Sequence, residues 1–246
     1  MKTILVTNDD GIYGPGLKPL VKALKKVARV IVIVPDQERS GTSHSITLHK
    51  PLRIQELDSN TFIANGTPTD CVRFGVLSLV KSKVDVVVSG INTGPNLGQD
   101  VIYSGTVAGA REGTLLGIPS IALSAAESAK ADFRLAARIA KKLVKHMLSG
   151  VFPSNVYLNV NVPYRVKGFR VTTLCKRIYD EEIECRIDPR GQKYYWLAGK
   201  TVSGTYQAGT DLAAVNKGLV SITPLELDPT ATELMGAFNQ WITDLS

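Results

Sequence analysis

Two adjacent carboxylates, Asp9 and Asp10, close the first apolar run of the chain, Thr3-Ile4-Leu5-Val6-Thr7-Asn8, and Gly11 follows them. A short run of Ile, Leu and Val reads as a parallel strand buried on both faces, which implies an α/β sheet covered by helices. Such sheets bind their ligands in the crevice beyond the carboxyl ends of the strands, so the two acids stand where an ion or substrate is held. Side chains of a regular strand alternate between faces, so both acids reach one ion only if the backbone turns there, and Gly11 permits the turn. Two like charges about 4 Å apart repel by roughly 4 kcal/mol at an effective dielectric of about 20, a cost that a divalent cation removes. Taken alone, Asp-Asp-Gly also fits a solvated turn or a helix N-cap.

The rest of the chain alternates strand and helix patterns. Pro15 suits the first position of a helix over about 15–26 that carries Leu17, Leu20, Val21, Leu24 and Val27. Val30–Val34 reads as a second buried strand, and the polar segment Asp36–Ser45 leaves its carboxyl end. Asn65-Gly66-Thr67-Pro68 reads as a turn into a helix with Val72, Val76, Leu77 and Val80 on its apolar side. A strand over Val84–Val88 exits through Ser89–Gly98, a small-residue helix follows over Val107–Leu116, and Ser120–Leu123 is the next strand. Ala131–Leu148 reads as an amphipathic helix and Val156–Val160 as a further strand. This order specifies a right-handed, mostly parallel sheet flanked by helices.

From about residue 164 the pattern changes. Glu181–Ile187 and Lys193–Leu197 flank Asp188-Pro189-Arg190-Gly191, a type I turn signal, so a β-hairpin is expected. A pair of exposed strands is not stable alone and packs on the body or, as favoured here, on a second subunit. Gly218–Thr223 offers a last strand and Ala231–Leu245 a closing helix. The expected organisation is a core over 1–163, an arm over 164–204, and a C-terminal strand and helix over 205–246.

Composition limits the functional classes. At 246 residues with 44% hydrophobic and 21% charged residues, the chain suits one main α/β domain with an excursion. The longest uncharged apolar stretch, Leu115–Ala126, is too short to span a bilayer, and the first apolar run is too short for a signal peptide, so a cytoplasmic protein with no membrane partner is expected. Cys71, Cys175 and Cys185 form no Cys-x-x-Cys pair and read as free thiols. The formal charge of +7 favours anionic substrates, but no basic run with interleaved aromatics marks a specific nucleic-acid site.

Three loops leave strand ends expected to lie side by side: Asn8–Gly16, Glu38–Ser45 and Gly90–Gly98. Each is rich in hard oxygen donors of the kind that Mg²⁺-type ions prefer. With Asp9 and Asp10, a neutral pair such as Ser40 and Asn96 would leave a site that is about neutral once a divalent ion binds, and able to accept a phosphate dianion. Ser104-Gly105-Thr106 opens a helix, where hydroxyls and backbone N–H groups hold a phosphate or form an ordinary N-cap. His44 reads either as a general acid or as a loop histidine bonded to nearby backbone.

These motifs together resemble the survival protein SurE family of metal-dependent 5′-nucleotidases over almost the whole chain. The resemblance is carried by Asn8-Asp9-Asp10-Gly11, Pro35 with Glu38-Arg39-Ser40-Gly41, Gly66-Thr67-Pro68-Thr69-Asp70-Cys71, Ser89-Gly90-Ile91-Asn92 with Gly94-Pro95-Asn96, Tyr103–Val107 and Ser221–Leu225. It implies a Rossmann-like core with a C-terminal hairpin arm, and a homodimer or homotetramer formed through that arm. One divalent ion per subunit is implied, Mg²⁺ or Mn²⁺ with Ca²⁺ also able to occupy the site, on Asp9, Asp10, Ser40 and Asn96. Asp9 and Asp10 are the implied catalytic residues, and Asn92, Gly41, Ser104, Gly105 and Thr106 the implied phosphate shell. The implied reaction is hydrolysis of nucleoside 5′-monophosphates, with 3′-nucleotides and polyphosphate as further candidate substrates.

Two other classes share part of the pattern. A phosphoacceptor receiver domain needs a third Asp at a later strand end, whereas Asp85 reads as lying inside its strand and Ser89 as ending it. A dinucleotide-binding dehydrogenase needs Gly-x-Gly-x-x-Gly, whereas the glycines here are Gly11, Gly14 and Gly16.

Overall fold

Ile4 and Val6 face one side of the central sheet and Leu5 the other, and all three are fully buried, as strands between two helical layers must be. The computed structural model describes residues 1–127, 131–180, 182–198, 202–204 and 206–244. In chain order the elements are β1 (Thr3–Thr7), α1 (Leu17–Leu24), β2 (Arg29–Pro35), β3 (Ile54–Asp58), β4 (Thr61–Ala64), α2 (Pro68–Phe74) and β5 (Val86–Thr93). They continue with α3 (Asp100–Tyr103), α4 (Gly105–Leu115), β6 (Ser120–Ala125), α5 (Phe133–Ser149), β7 (Val156–Val162), β8 (Gly168–Val171) and β9 (Arg177–Tyr179). The last are β10 (Glu182–Ile187), β11 (Lys193–Ala198), β12 (Val202–Gly204), α6 (Asp211–Asn216), β13 (Leu219–Glu226) and α7 (Met235–Asp244).

The main sheet runs β3-β4-β2-β1-β5-β6-β7-β13-β8. From β4 to β7 every neighbour is parallel, while β3 and β13 pair antiparallel with β4 and β7. Numbering the six parallel strands in chain order gives 3-2-1-4-5-6, the Rossmann order, with its switch point between β1 and β5. One core cluster joins this sheet to α1 and α5, and a second joins its other face to α2. The expected α/β architecture is therefore present, with the three candidate loops leaving the neighbouring strands β2, β1 and β5.

Four local expectations are corrected. Helix α1 begins at Leu17 rather than Pro15, because Gly14 O accepts from Leu17 N (3.1 Å) in a turn and Gly16 lies too close to Ile91 to carry a side chain: a Cβ there would be 2.2 Å from Ile91 O. After Phe74 one π-helical turn spans Gly75–Leu79, and the changed rotation leaves Leu77 66% exposed instead of on the apolar face. Asp85 precedes β5 instead of lying in it, since its carboxylate accepts from Thr3 N (2.8 Å) and Lys2 Nζ (2.9 Å), at the end of the sheet opposite Asp9. The same strand does not stop at Ser89 but runs to Thr93.

The hairpin forms as β10 and β11 in antiparallel register, and Gly191 N donates to Asp188 O (2.9 Å) across the expected turn. Glu181, assigned to its first strand, lies outside the described residues, as does Leu245 of the closing helix. Strands β9 and β12 pair at the hairpin's root. Its tip is exposed on both faces, and Ile183 and Leu197 stand opposite one another at 71% and 82% exposure. The edge hairpin β3–β4 is an addition to the expected elements.

Candidate active site

The turn after β1 is closed by Asn8, whose Nδ2 donates to Gly11 O (2.8 Å) while its Oδ1 accepts from Gly11 N (3.1 Å). Gly11 has φ +77°, a conformation costly for residues with a Cβ. The turn carries both Asp9 and Asp10 into one cleft of about 630 Å³ at the carboxyl ends of β1, β2 and β5. Pro15, Glu38, Ser40, Gly41, Asn92, Asn96 and Ser104 also line it, with Tyr13, Asp100, Tyr103 and Tyr179. Four candidate metal ligands from three loops therefore share one cavity.

Each loop is held by specific bonds. Arg39 N donates to Asp9 O (2.8 Å), and Ser43 N donates to Tyr103 O (2.9 Å), so the second loop is fastened between the first and α3. Ser40 Oγ donates to Glu38 Oε1 (2.8 Å) within the cleft. Asn96 is buried: its backbone N donates to Asn161 Oδ1 (2.9 Å), its O accepts from Asn159 and Asn161, and its Nδ2 donates to Ser124 Oγ (2.8 Å). With the nitrogen so engaged, Oδ1 is the amide atom left for the cleft.

Helix α4 meets Asp9 end-on. Ser104 is the N-cap, its Oγ accepting from Val107 N (3.1 Å), and Thr106 Oγ1 donates to Asp9 Oδ1. A Cβ on Gly105 would come within 3.2 Å of Asp9 Oδ2. Of the three expected phosphate-shell residues here, only Ser104 lines the cleft; fully buried Thr106 and Gly105 lie against the Asp9 carboxylate. Asn92 lines the cleft and donates from Nδ2 to Gly94 O (3.0 Å). His44 is not among the residues that line the cleft: its Nε2 lies 2.9 Å from Glu112 Oε2, and Glu112 Oε1 lies 2.8 Å from Arg73 Nε.

Electrostatically the cleft lacks a cation. Burial pushes the Asp9 carboxyl above its usual range, the Thr106 hydroxyl and the backbone N–H groups of Asp9 and Thr106 oppose this, and Glu38 adds to it. Burial, then Asp9 and Glu38, push Asp10 up to about 6. Asp10 Oδ2 is buried without a hydrogen-bond partner, and no Lys or Arg lines the cleft. An orphaned carboxylate oxygen beside a second carboxylate, a hydroxyl and an amide oxygen fits a hard divalent cation. Among the described residues no group of three or more His, Cys, Asp or Glu is arranged to hold a metal.

Glu38 and the tyrosines were not singled out from the sequence. Glu38 had a usable signal, as a third acid at a strand exit two residues before Ser40. Tyr179 had none, because it reaches the cleft only through the packing of β9.

Known proteins resemble this chain closely. A sequence profile described as Survival protein SurE matches residues 4–181. The 5′-nucleotidase SurE of Geobacter metallireducens is 44% identical over 243 residues, covering 97% of this chain and 96% of that protein. The protein of the same name from Aquifex aeolicus is 44% identical over 241 residues, covering 96% of each. The crystal structure of the SurE protein from Aquifex aeolicus matches with a TM-score of 0.85 at 42% identity, covering 97% of this chain and 99% of its own.

The raised Asp10 carboxyl predicts a pH dependence for the chelator-treated protein. A carboxyl raised in the folded state stabilises the fold below its unfolded value of 3.8, and this contribution is lost as pH rises through about 6. Asp10→Asn should therefore gain stability relative to the unmodified chain between pH 4 and pH 7 in urea denaturation. A difference that does not change with pH would contradict the assignment.

Proposed function

The chain belongs to the survival protein SurE family and is a phosphoric monoester hydrolase, and we propose that it is a divalent-metal-dependent 5′-nucleotidase that releases phosphate from nucleoside monophosphates. The observation that carries this reading is the orphaned Asp10 Oδ2 beside buried Asp9 at the switch point of the sheet. Asp9, Asp10, Ser40 and Asn96 would hold the ion. When bound, Mg²⁺, Mn²⁺ or Ca²⁺ neutralises the carboxylates, polarises the phosphoryl group and makes water a better nucleophile.

The chain's own groups do the positioning. Thr106 and the α4 N-terminus fix the Asp9 carboxylate, so that its orientation does not have to be set during the reaction. The N-terminal end of α4 also favours the negative charge of a phosphoryl group in the cleft. Ser104 Oγ accepts from Val107 N and so keeps its own proton to donate to a phosphate oxygen. Asn92 Nδ2, which gives one proton to Gly94 O, would offer its second to the phosphate, and the Gly41 backbone would complete the shell. These groups address the phosphate rather than the alcohol, so 3′-nucleotides and terminal phosphates of polyphosphate are further substrates of this reading.

The proposed assembly is a homodimer or homotetramer built through the 164–204 arm and the C-terminal helix. Supporting it, Met235, Phe238, Trp241 and Ile242 of α7 are 47–63% exposed, and the large apolar residues of β10 and β11 are exposed as well. A second copy of the chain would cover these exposed apolar faces. The proposed setting is the cytoplasm; no helix among the described residues is long and apolar enough to cross a membrane.

Phosphate release from 5′- and 3′-mononucleotides tests the activity. Asp9→Asn should lower turnover by at least about 10³-fold, of the order seen when one preorganised electrostatic group is removed, with circular dichroism unchanged. Chelation should abolish release, and Mn²⁺ or Mg²⁺ should restore it. Full turnover in the variant, or in chelator, would refute the metal site. Sedimentation at micromolar concentration should show a dimer or larger species, and a monomer would refute the assembly.

A further inference from the structure

Helices α1 and α5 pack against each other on one face of the sheet, and a groove of about 520 Å³ lies where they meet. Five cations line it, Lys18, Lys22 and Lys26 from the α1 side and Arg134 and Arg138 from α5, and all five are exposed. Lys18 and Lys22, like Arg134 and Arg138, are four residues apart, about 6 Å along a helix axis, so each wall carries a row of positive charge. The rest of the lining is Pro19, Ala23 and Ala137, with no carboxylate and no aromatic ring.

Nothing in these two helices offsets the charge. Residues 11–35 and 133–179 contain no Asp or Glu. Asp132, next in sequence, is engaged as the N-cap of α5, its Oδ1 accepting from Leu135 N (2.9 Å). Among the described residues no salt bridge involves any of the five cations. Positive charge concentrated along a groove raises the local concentration of anions and favours a ligand that carries many of them in a line.

The chemistry of the lining narrows the partner. None of the large apolar side chains exposed among the described residues belongs to α1 or α5, so neither helix offers the apolar face with which a helix enters a bilayer surface. Protein interfaces are built on aromatic and apolar anchors and are poor in Lys, whereas nucleic-acid interfaces are strongly basic. A groove between two helices admits one strand, and without a ring to stack a base on it holds that strand by its phosphates. We propose that the groove between α1 and α5 binds single-stranded nucleic acid through the phosphate backbone, without regard to sequence. Neither the cleft nor a metal takes part, so binding here is independent of the nucleotidase reading above.

Fluorescence anisotropy of a labelled oligouridylate, recorded in chelator over a series of salt concentrations, tests the groove. Affinity should fall as salt rises, with a log–log slope of about −0.7 for each phosphate contact. Arg134→Gln/Arg138→Gln and, separately, Lys22→Gln/Lys26→Gln should each weaken binding roughly 10–30-fold at about 0.1 M salt and reduce the slope by about 1.4. Lys50→Gln/Arg53→Gln makes the same change in charge beside the edge strand β3 and should leave both quantities unchanged. No binding, an equal loss in all three variants, or displacement of the strand by saturating 5′-UMP, which has no chain of phosphates, would overturn the proposal. Binding of phosphatidylserine vesicles with no binding of the strand would assign the face to a membrane and overturn it as well.

Discussion

The bond between Thr106 Oγ1 and the buried carboxylate of Asp9 joins the first strand to the N-terminus of α4, and the site is organised around that junction. Asp9 O receives Arg39 N, which ties in the loop carrying Ser40 and Gly41, and Gly105 fits closely against the Asp9 side chain, where a Cβ would stand 3.0 Å from Asp9 Cβ. Burying a carboxylate is costly unless hydrogen bonds and opposite charge compensate. Here a hydroxyl and a helix end offset part of the cost, and Glu38 and Asp10 increase it. The remaining imbalance is what the proposed divalent cation would remove.

The sheet determines which loops can meet there. Because the strand order reverses between β1 and β5, helices leave the two sides of that point in opposite directions and open a crevice. The loop after β5 is held from below by Asn159 and Asn161 on β7, two strands away, both of which bond Asn96. The amide of the proposed ligand Asn96 is thus fastened to the central sheet, which gives it the rigidity that a coordination site needs. At the rim, β9 brings in Tyr179, so the root of the exposed ribbon and the cleft share a residue.

Much of this could be read from residue order. The apolar runs at Ile4–Val6 and Val30–Val34, the turn that Gly11 permits after the acidic pair, and the Asp188–Gly191 turn are local signals, and all three occur as expected. Where the reading went astray, a tertiary contact had overruled a local signal. Pro15 invites a helix start that the approach of Gly16 to Ile91 prevents, and Asp85 looks like part of a strand but satisfies Thr3 N at the end of the sheet opposite Asp9. Leu77 fits the helical repeat until a π-turn rotates it outward. The same holds in the site. Asp9 and Asp10 were visible because they adjoin a strand, whereas the placement of Thr106 behind Asp9, the pairing of His44 with Glu112 and the arrival of Tyr179 depend on packing between distant segments.

Growing crystals with Mn²⁺ and collecting anomalous diffraction tests the central claim most directly, because it needs no substrate and no turnover. The account predicts one strong anomalous peak per subunit in the cleft, roughly 2.0–2.6 Å from oxygens of Asp9, Asp10, Ser40 and Asn96, with Asp10 Oδ2 no longer without a partner. A cleft with no peak, or a peak held by other residues while Asp10 Oδ2 stays bare, would contradict it.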